Sequence, residues 1–153
     1  MSDTLFAIAR SGMDVERLRM EVIAQNLANA SSARGAGVEG YQPVRLVSGP
    51  NTASGFEQAL GDAARGYTVH APGALAGARS YGVQATAAPP RTVHEPANPL
   101  ADADGNVAYP GVDHAGEMAL MVQTQRVYEA NVVMYNSARS MFMRAMDIGG
   151  NSP

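Results

Sequence analysis

The segment LMVQTQRVYEANVVMYNSARSMFMRAMDI, residues 120–148, decides the fold because it is long and contains neither glycine nor proline. Apolar side chains recur in it at strict seven-residue intervals and are called the heptad row here: Leu120, Val127, Met134, Met141 and Ile148. Smaller residues stand at the complementary positions, which are Thr124, Asn131, Ala138 and Ala145. Such an a/d repeat predicts a long helix that supercoils against a partner with a left-handed twist. We expect the helix to run over residues 113–148 and to stop at Gly149 and Gly150.

A second apolar row flanks the heptad row and widens the sticky face of this helix: Met121, Tyr128, Tyr135 and Phe142. Asn131 stands within the a/d pattern, where a buried polar side chain can fix the register of helix pairing. A solvated Asn131 would have no such role, and the residues alone leave both readings open.

The N-terminal segment, residues 3–28, predicts a second amphipathic helix. Six polar residues share one arc about 80° wide, namely Asp3, Arg10, Asp14, Arg17, Glu21 and Gln25. The apolar residues spread over roughly 240° of the remaining surface, whereas an ordinary surface helix shows a stripe of little more than 100°. We therefore expect this helix to contact neighbours on two sides through Leu5, Ile8, Val15, Val22 and Leu27.

Glycine and proline are concentrated between the two helices. Residues 31–112 contain 12 of the 16 glycines and eight of the nine prolines, which excludes long helices there. Strand candidates are 41–47, 66–71, 80–87, 91–95 and 106–110, and a short helical segment is predicted within 55–66. The expected class is α+β, in which the terminal helices form an elongated coiled-coil-like pair with a small irregular β-subdomain between them. The predicted boundaries are a helical arm at 1–30, the β-subdomain and loops at 31–112, and a second arm at 113–149.

Neither helical arm is expected to cover all of its apolar surface by pairing with the other. Ordering a residue costs about 1.5 kcal/mol, and a dozen buried side chains on the second arm return only part of that cost. We hypothesise that both arms are marginal in the monomer and become firmly ordered only among other helices.

Bulk composition excludes several classes of protein. The net charge of −3 gives no basic field for nucleic acid or anionic lipid, and the absence of cysteine excludes disulfides and thiol nucleophiles. No apolar run approaches the length of a membrane span, and charged residues interrupt the N-terminal segment. We therefore expect a protein without a membrane-spanning segment or a cleaved signal peptide.

No short motif in the chain makes a convincing active, metal or cofactor site. GAGVEG (35–40) has the glycine spacing of a dinucleotide loop but follows a helix and precedes a strand, the reverse of what that loop requires. DADGN (102–106) resembles a calcium loop, but Val107 stands where the obligatory glycine belongs, so a turn is favoured. His70, His94 and His114 are isolated from one another. Asp113 and Glu117 are expected to complement the helix dipole at the start of the second arm.

Two stretches resemble the flagellar axial proteins. IAQNLANASSARGAGVEGY (23–41) is similar to their N-terminal motif, with a lengthened gap before Gly40-Tyr41. Residues 98–149 resemble the C-terminal half of proximal rod subunits of the flagellar basal body. The matching elements are Asn98-Pro99, Ala101-Asp102-Ala103, Gly105, Val112-Asp113, Glu117-Met118, Arg126, Tyr128-Glu129-Ala130-Asn131, Asn136, Met141 and Ile148-Gly149. Residues 49–79 match nothing in the family.

The resemblance implies a non-enzymatic rod subunit without cofactors, exported through the flagellum's own type III apparatus and assembled in the periplasm. Its partners would be copies of itself, other rod proteins, and adaptor proteins of the membrane ring or export gate, and it would transmit torque from the motor to the hook. We expect Leu120, Val127, Met134 and Met141 to form the seam of the second arm. Tyr128, Tyr135 and Phe142 are expected to contact neighbouring subunits laterally.

Three alternatives remain open at this stage. The chain would also suit another rod- or hook-type axial protein. A non-flagellar coiled-coil adaptor would use the same seam but form a discrete soluble dimer or trimer. An enzyme built on the β-region would need a pocket of convergent polar groups.

Overall fold

The computed structural model describes residues 2–35, 40–51 and 77–150, and its order of elements confirms the α+β class. Helix α1 (Ser2–Asn29) is followed by strands β1 (Val44–Pro50), β2 (Ala78–Ala85), β3 (Arg91–His94) and β4 (Asn106–Tyr109), and helix α2 (His114–Gly150) comes last. Four of the five strand candidates overlap these strands. The fifth, 66–71, lies outside the described residues, as do the helical segment predicted within 55–66 and the middle of GAGVEG.

Both helices begin or end at residues suited to that position. Asp113 caps α2, because its Oδ1 accepts a hydrogen bond from Gly116 N (3.1 Å) and its carbonyl accepts one from Glu117 N (2.9 Å). Asn29 closes α1 with its side chain donating to the Gln25 carbonyl (2.8 Å). The expected stop at Gly149 was wrong, since α2 includes Gly149 and Gly150. Glycine lowers helix stability by about 1 kcal/mol but does not forbid the conformation.

The strands form two small sheets. β1 pairs with β2, and β3 pairs with β4 in an antiparallel hairpin that matches Arg91 with Tyr109 and His94 with Asn106. Within the DADGN segment, Asp102 Oδ1 accepts hydrogen bonds from the backbone N–H groups of Asp104 (3.0 Å) and Asn106 (2.8 Å). Gly105 adopts a φ of 76°, which favours glycine. The turn predicted at this segment is confirmed.

The chain divides into two compact units, and both helices contribute to each. The first unit comprises Met1–Val15, Ser48–Ser80 and Tyr128–Pro153. In it the Phe6 ring lies 5.1 Å from that of Tyr135 and 6.4 Å from that of Phe142. Farther along α1, Gly12 lies against Asn131, which is earlier in α2, so the two helices run antiparallel. The Ser11 hydroxyl accepts a hydrogen bond from Ala78 N (3.0 Å), which attaches the start of β2 to α1.

The second unit comprises Glu16–Val47 and Tyr81–Val127 and has a small core. Among the described residues, its buried aliphatic side chains are those of Val22, Ile23 and Val107, and Pro43 and Pro110 are buried as well. Buried polar side chains stand beside them, namely Glu16, Asn26, Glu117 and Thr124. Buried polar groups of this kind must be hydrogen-bonded to be tolerated.

Candidate assembly surface

The heptad row of α2 lies on the surface. Val127 is 41% exposed, Met134 59%, Met141 67% and Ile148 78%, and only Leu120 is half-buried. The row that the chain buries or half-buries instead consists of the smaller residues and the flanking aromatic ones: Glu117, Met121, Thr124, Tyr128, Asn131, Tyr135 and Ala138. The inward stripe of α2 is thus offset by three or four residues from the heptad row. Assembly through the heptad row stays a prediction, and its exposure leaves these side chains available for it.

In the first unit, the heptad row borders an apolar groove of about 460 Å³ between the start of α1 and the end of α2, called the helix groove here. Leu5 and Phe6 contribute one wall. The residues from α2 are Val133, Met134, Ser137, Ala138, Met141, Phe142 and Ala145. Ser137 is the single residue with a polar side chain in this lining, so the groove can bind an apolar surface but offers little polar chemistry.

The predicted contacts of the first arm divide by burial. Val15 and Val22 are buried and Ile8 and Leu27 are half-buried, so within this structure these four serve the chain's own interior. Leu5 is 57% exposed. It is therefore the residue of that set best placed to touch a neighbour.

The aromatic row predicted for lateral contacts takes part in the chain's own packing. Tyr128 and Tyr135 are half-buried, and the Tyr135 ring meets Phe6 edge to face. Phe142 also contacts Phe6 but stays 39% exposed. A lateral role for these three residues stays a prediction, and Phe142 offers the largest exposed area for it.

Gly12 and Asn131 mark a close approach of the two helices. A Cβ atom placed on Gly12 would lie 2.9 Å from Asn131 Nδ2, nearer than such atoms come in proteins. Asn131 is half-buried, so it is not the freely solvated residue that the sequence left open. A small residue at position 12 is what lets the helices come together here.

In the second unit, the side-chain amide of Asn26 holds strand β1 against helix α1. Its Nδ2 donates to the Val44 carbonyl (2.9 Å) and to Glu117 Oε1 (3.1 Å). Its Oδ1 accepts from Val44 N (3.0 Å) and from the Tyr41 hydroxyl (2.7 Å). Both donors and both acceptor positions of the amide are therefore used, which explains how Asn26 is tolerated at 0% exposure.

Glu117 completes this polar cluster from α2. The carboxylate is 1% exposed, and its Oε1 also forms an ion pair with Arg45 on β1. Oε2 has no hydrogen-bond partner among the described residues. Desolvation, and secondarily the Glu117 charge, raises the pKa of the Tyr41 hydroxyl above its ordinary value. Glu117 thus ties helix to strand, a role beyond the dipole effect expected from the sequence.

A second, smaller polar cluster supports the β3–β4 hairpin. Glu95 Oε2 accepts hydrogen bonds from Asn98 Nδ2 (2.8 Å) and from the Tyr109 hydroxyl (3.0 Å). The hydrogen bond to Glu95 is the main cause that raises the pKa of Tyr109. The Arg91 guanidinium lies 5.5 Å from the centre of the Tyr109 ring. These contacts are structural, and they hold the long turn between the two strands.

The position of Glu117 is the one sequence signal that points to the first of these clusters. Glu117 stands seven residues before Thr124 and fourteen before Asn131, on the same inward stripe of α2. A carboxylate in register with a buried row requires a partner inside the protein. Asn26 and Arg45 gave no comparable signal, because they are 91 and 72 residues away from Glu117 in the chain.

Among residues 2–35, 40–51 and 77–150, no helix is both long and apolar enough to cross a membrane. Within the same ranges, no three His, Asp or Glu side chains gather in a group able to hold a metal ion.

Comparison with known proteins yields a consistent result. A family model described as "Flagellar basal body rod FlgEFG protein C-terminal" matches residues 103–148. The chain is 34% identical over 145 residues to the flagellar basal-body rod protein FlgC of Escherichia coli O6:H1, covering 95% of this chain and 96% of the relative. It is equally similar to FlgC of Salmonella typhimurium, with 34% identity over the same shares. FlgC of Bacillus subtilis is 32% identical, with 93% and 94% covered.

Proposed function

Because the chain belongs to the FlgC family of flagellar basal-body rod proteins, we propose that it is a structural subunit of the bacterial flagellar rod. It assembles with copies of itself and with other rod proteins through its terminal helices. Its role is mechanical and non-enzymatic, namely to transmit torque from the motor towards the hook.

The observation that carries this proposal is the exposed apolar surface of α2, which includes the heptad row along one side of the helix. Ten of the sixteen large apolar side chains exposed in the described part of the chain lie on this one helix. Exposed apolar surface concentrated in this way marks an interaction site. Covering one fully exposed side chain of this kind contributes up to about 1.5–3 kcal/mol, so packing a neighbouring subunit against the heptad row and the helix groove is favourable.

Finer features of the proposal rest on the family resemblance. The subunit is exported without a cleaved leader and takes its place in the periplasmic part of the rod. Adaptor proteins of the membrane ring or export gate are its further partners. Co-purification of the chain with intact basal bodies, and mass analysis of its N-terminus there, test these features directly.

Substitution of Met134 by aspartate tests the assembly surface. Met134→Asp places a charge on the heptad row, and we expect loss of motility and of the subunit from basal bodies while the protein is still expressed. Gln125→Asp is the matched control, since it adds the same charge at an exposed position of α2 away from both the row and the groove. Met134→Leu keeps the position apolar and should remain motile. A fully motile Met134→Asp strain would refute the assignment of this surface.

A discrete coiled-coil adaptor is the rival that the exposed heptad row also suits. Such a protein would form a stable dimer or trimer when purified alone. Sedimentation of the purified full chain distinguishes the two hypotheses. A coiled-coil adaptor would sediment as a stable dimer or trimer, whereas a rod subunit should form no stable small oligomer without its neighbours in the rod.

A further inference from the structure

The methionines in the described part of the chain fall into two classes of exposure. Met13, Met20 and Met121 are half-buried, whereas five others are exposed and all lie on α2: Met118, Met134, Met141, Met143 and Met146. The chain contains no cysteine, so these thioethers are its most readily oxidised side chains.

Two of the exposed methionines stand where oxidation would matter most. Met134 and Met141 belong to the heptad row and line the helix groove, with 59% and 67% of their surfaces exposed. Their neighbours in the groove are apolar or small, such as Leu5, Phe142 and Ala145. Within the helix groove, a polar oxygen on either sulfur would meet a lining whose one polar side chain is that of Ser137, although Met141 also borders Ser140 and Arg144.

We infer that Met134 and Met141 form an oxidant-sensitive modification site, and that their conversion to sulfoxides by hydrogen peroxide lowers the ability of the subunit to assemble. The thioether sulfur attacks one peroxide oxygen and the O–O bond breaks. An S–O bond forms, the sulfur loses two electrons, and the other oxygen leaves as water. The effect on assembly rests on the proposed function, whereas the reactivity of the two sulfurs rests on exposure alone.

The same geometry makes the modification reversible in the free subunit and blocked in the assembled one. Methionine sulfoxide is reduced by dedicated thiol-dependent reductases, which need access to the side chain. The groove is open in the free chain, so reductant and oxidant reach it equally. Once a neighbour covers the groove, both are excluded.

The first experiment measures reactivity without assembly. The purified full chain is treated with dilute hydrogen peroxide, and oxidation of each methionine is followed by peptide mass spectrometry. Met134 and Met141 should react at least about threefold faster than Met13, Met20 and Met121, which serve as internal references. Equal rates at the two sets of positions would overturn the inference.

The second experiment measures protection and consequence. In isolated basal bodies that contain the chain, Met134 and Met141 should react several-fold more slowly than in the free protein. Unchanged rates there would overturn the inference while leaving the proposed function intact, whereas absence of the chain from basal bodies would refute the proposed function instead.

The double substitution Met134→Gln with Met141→Gln imitates the polar sulfoxide and should reduce motility. The control pair Met118→Gln with Met143→Gln places the same polar groups at exposed positions outside the heptad row and the helix groove and should keep motility, and loss in the Met134 and Met141 pair alone supports the inference.

Discussion

Asn26 and Met134 lie on the two helices of the same protein and meet opposite conditions. Asn26 is fully buried, and each of its hydrogen-bonding positions is used by a partner within the chain. Met134 is 59% exposed, beside an apolar groove. The Asn26 region is thus completed by the chain itself, while the end of α2 has apolar surface still to be covered. Stability of the free subunit should depend on the first region and assembly on the second, and substitutions can separate the two.

Replacing Asn26 by leucine should have the largest effect on stability. The change removes partners from both backbone groups of Val44 and from the buried Glu117 carboxylate, so we expect a loss of about 3–5 kcal/mol in the free energy of unfolding. Denaturant titration of the purified chain measures it. Asn136→Leu is the control at an exposed position of α2 and should change stability little. Equal midpoints for the two variants would show that the Asn26 cluster does not support the fold.

The approach of Gly12 to Asn131 predicts that the effect of Gly12→Ala on stability changes sign with the residue at position 131. Gly12→Ala should destabilise the chain by about 1–2 kcal/mol, because the new methyl group meets the Asn131 amide. In an Asn131→Ala background the same substitution should instead stabilise by about 1 kcal/mol, through helix propensity alone. Thermal unfolding of the four proteins in this cycle gives the coupling. If Gly12→Ala has the same effect in both backgrounds, the close contact does not exist in solution.

Met134→Asp should have the opposite pattern of effects to Asn26→Leu, because it should leave stability nearly unchanged and abolish assembly. Met134 is exposed and contributes little to the interior, so we expect its unfolding free energy to change by no more than about 0.5–1 kcal/mol. Motility should nevertheless be lost. A large fall in stability for this variant would mean that the heptad row belongs to the chain's own core.

The smallest effect concerns pH and the Tyr41 hydroxyl. Because the folded-state pKa is raised, the neutral phenol is favoured in the fold, and the unfolded chain ionises first as pH rises above about 10. The stability that this group contributes is full at lower pH and is lost as pH rises through the folded pKa. Tyr41→Phe should flatten the decline in unfolding free energy above pH 10. An unchanged slope would contradict burial of the hydroxyl beside Glu117.

The sequence predicted the elements better than the phase of their packing. The distribution of glycine and proline located both helices and the β-region, since those residues act locally. The predicted seam rested on the large apolar residues of the heptad row, with Thr124, Asn131 and Ala138 at its complementary positions. The chain instead buries Thr124 and half-buries Asn131 and Ala138, since small side chains let helices approach closely. The tie between Asn26, Arg45 and Glu117 depends on residues far apart in sequence, and no local pattern announces it.

The two bonds from Asn26 to Val44 have one more consequence. They reproduce the pair of hydrogen bonds that a neighbouring strand would make. The Asn26 side chain therefore fixes the register of β1 against helix α1. Sliding the strand by one residue would offer Pro43, which has no N–H to donate. Sliding it the other way would offer Arg45 and turn every side chain of the strand to the opposite face. A form of the chain with β1 in a shifted register therefore loses a hydrogen bond or its side-chain orientation at this one position. That form is disfavoured within the free subunit, before assembly.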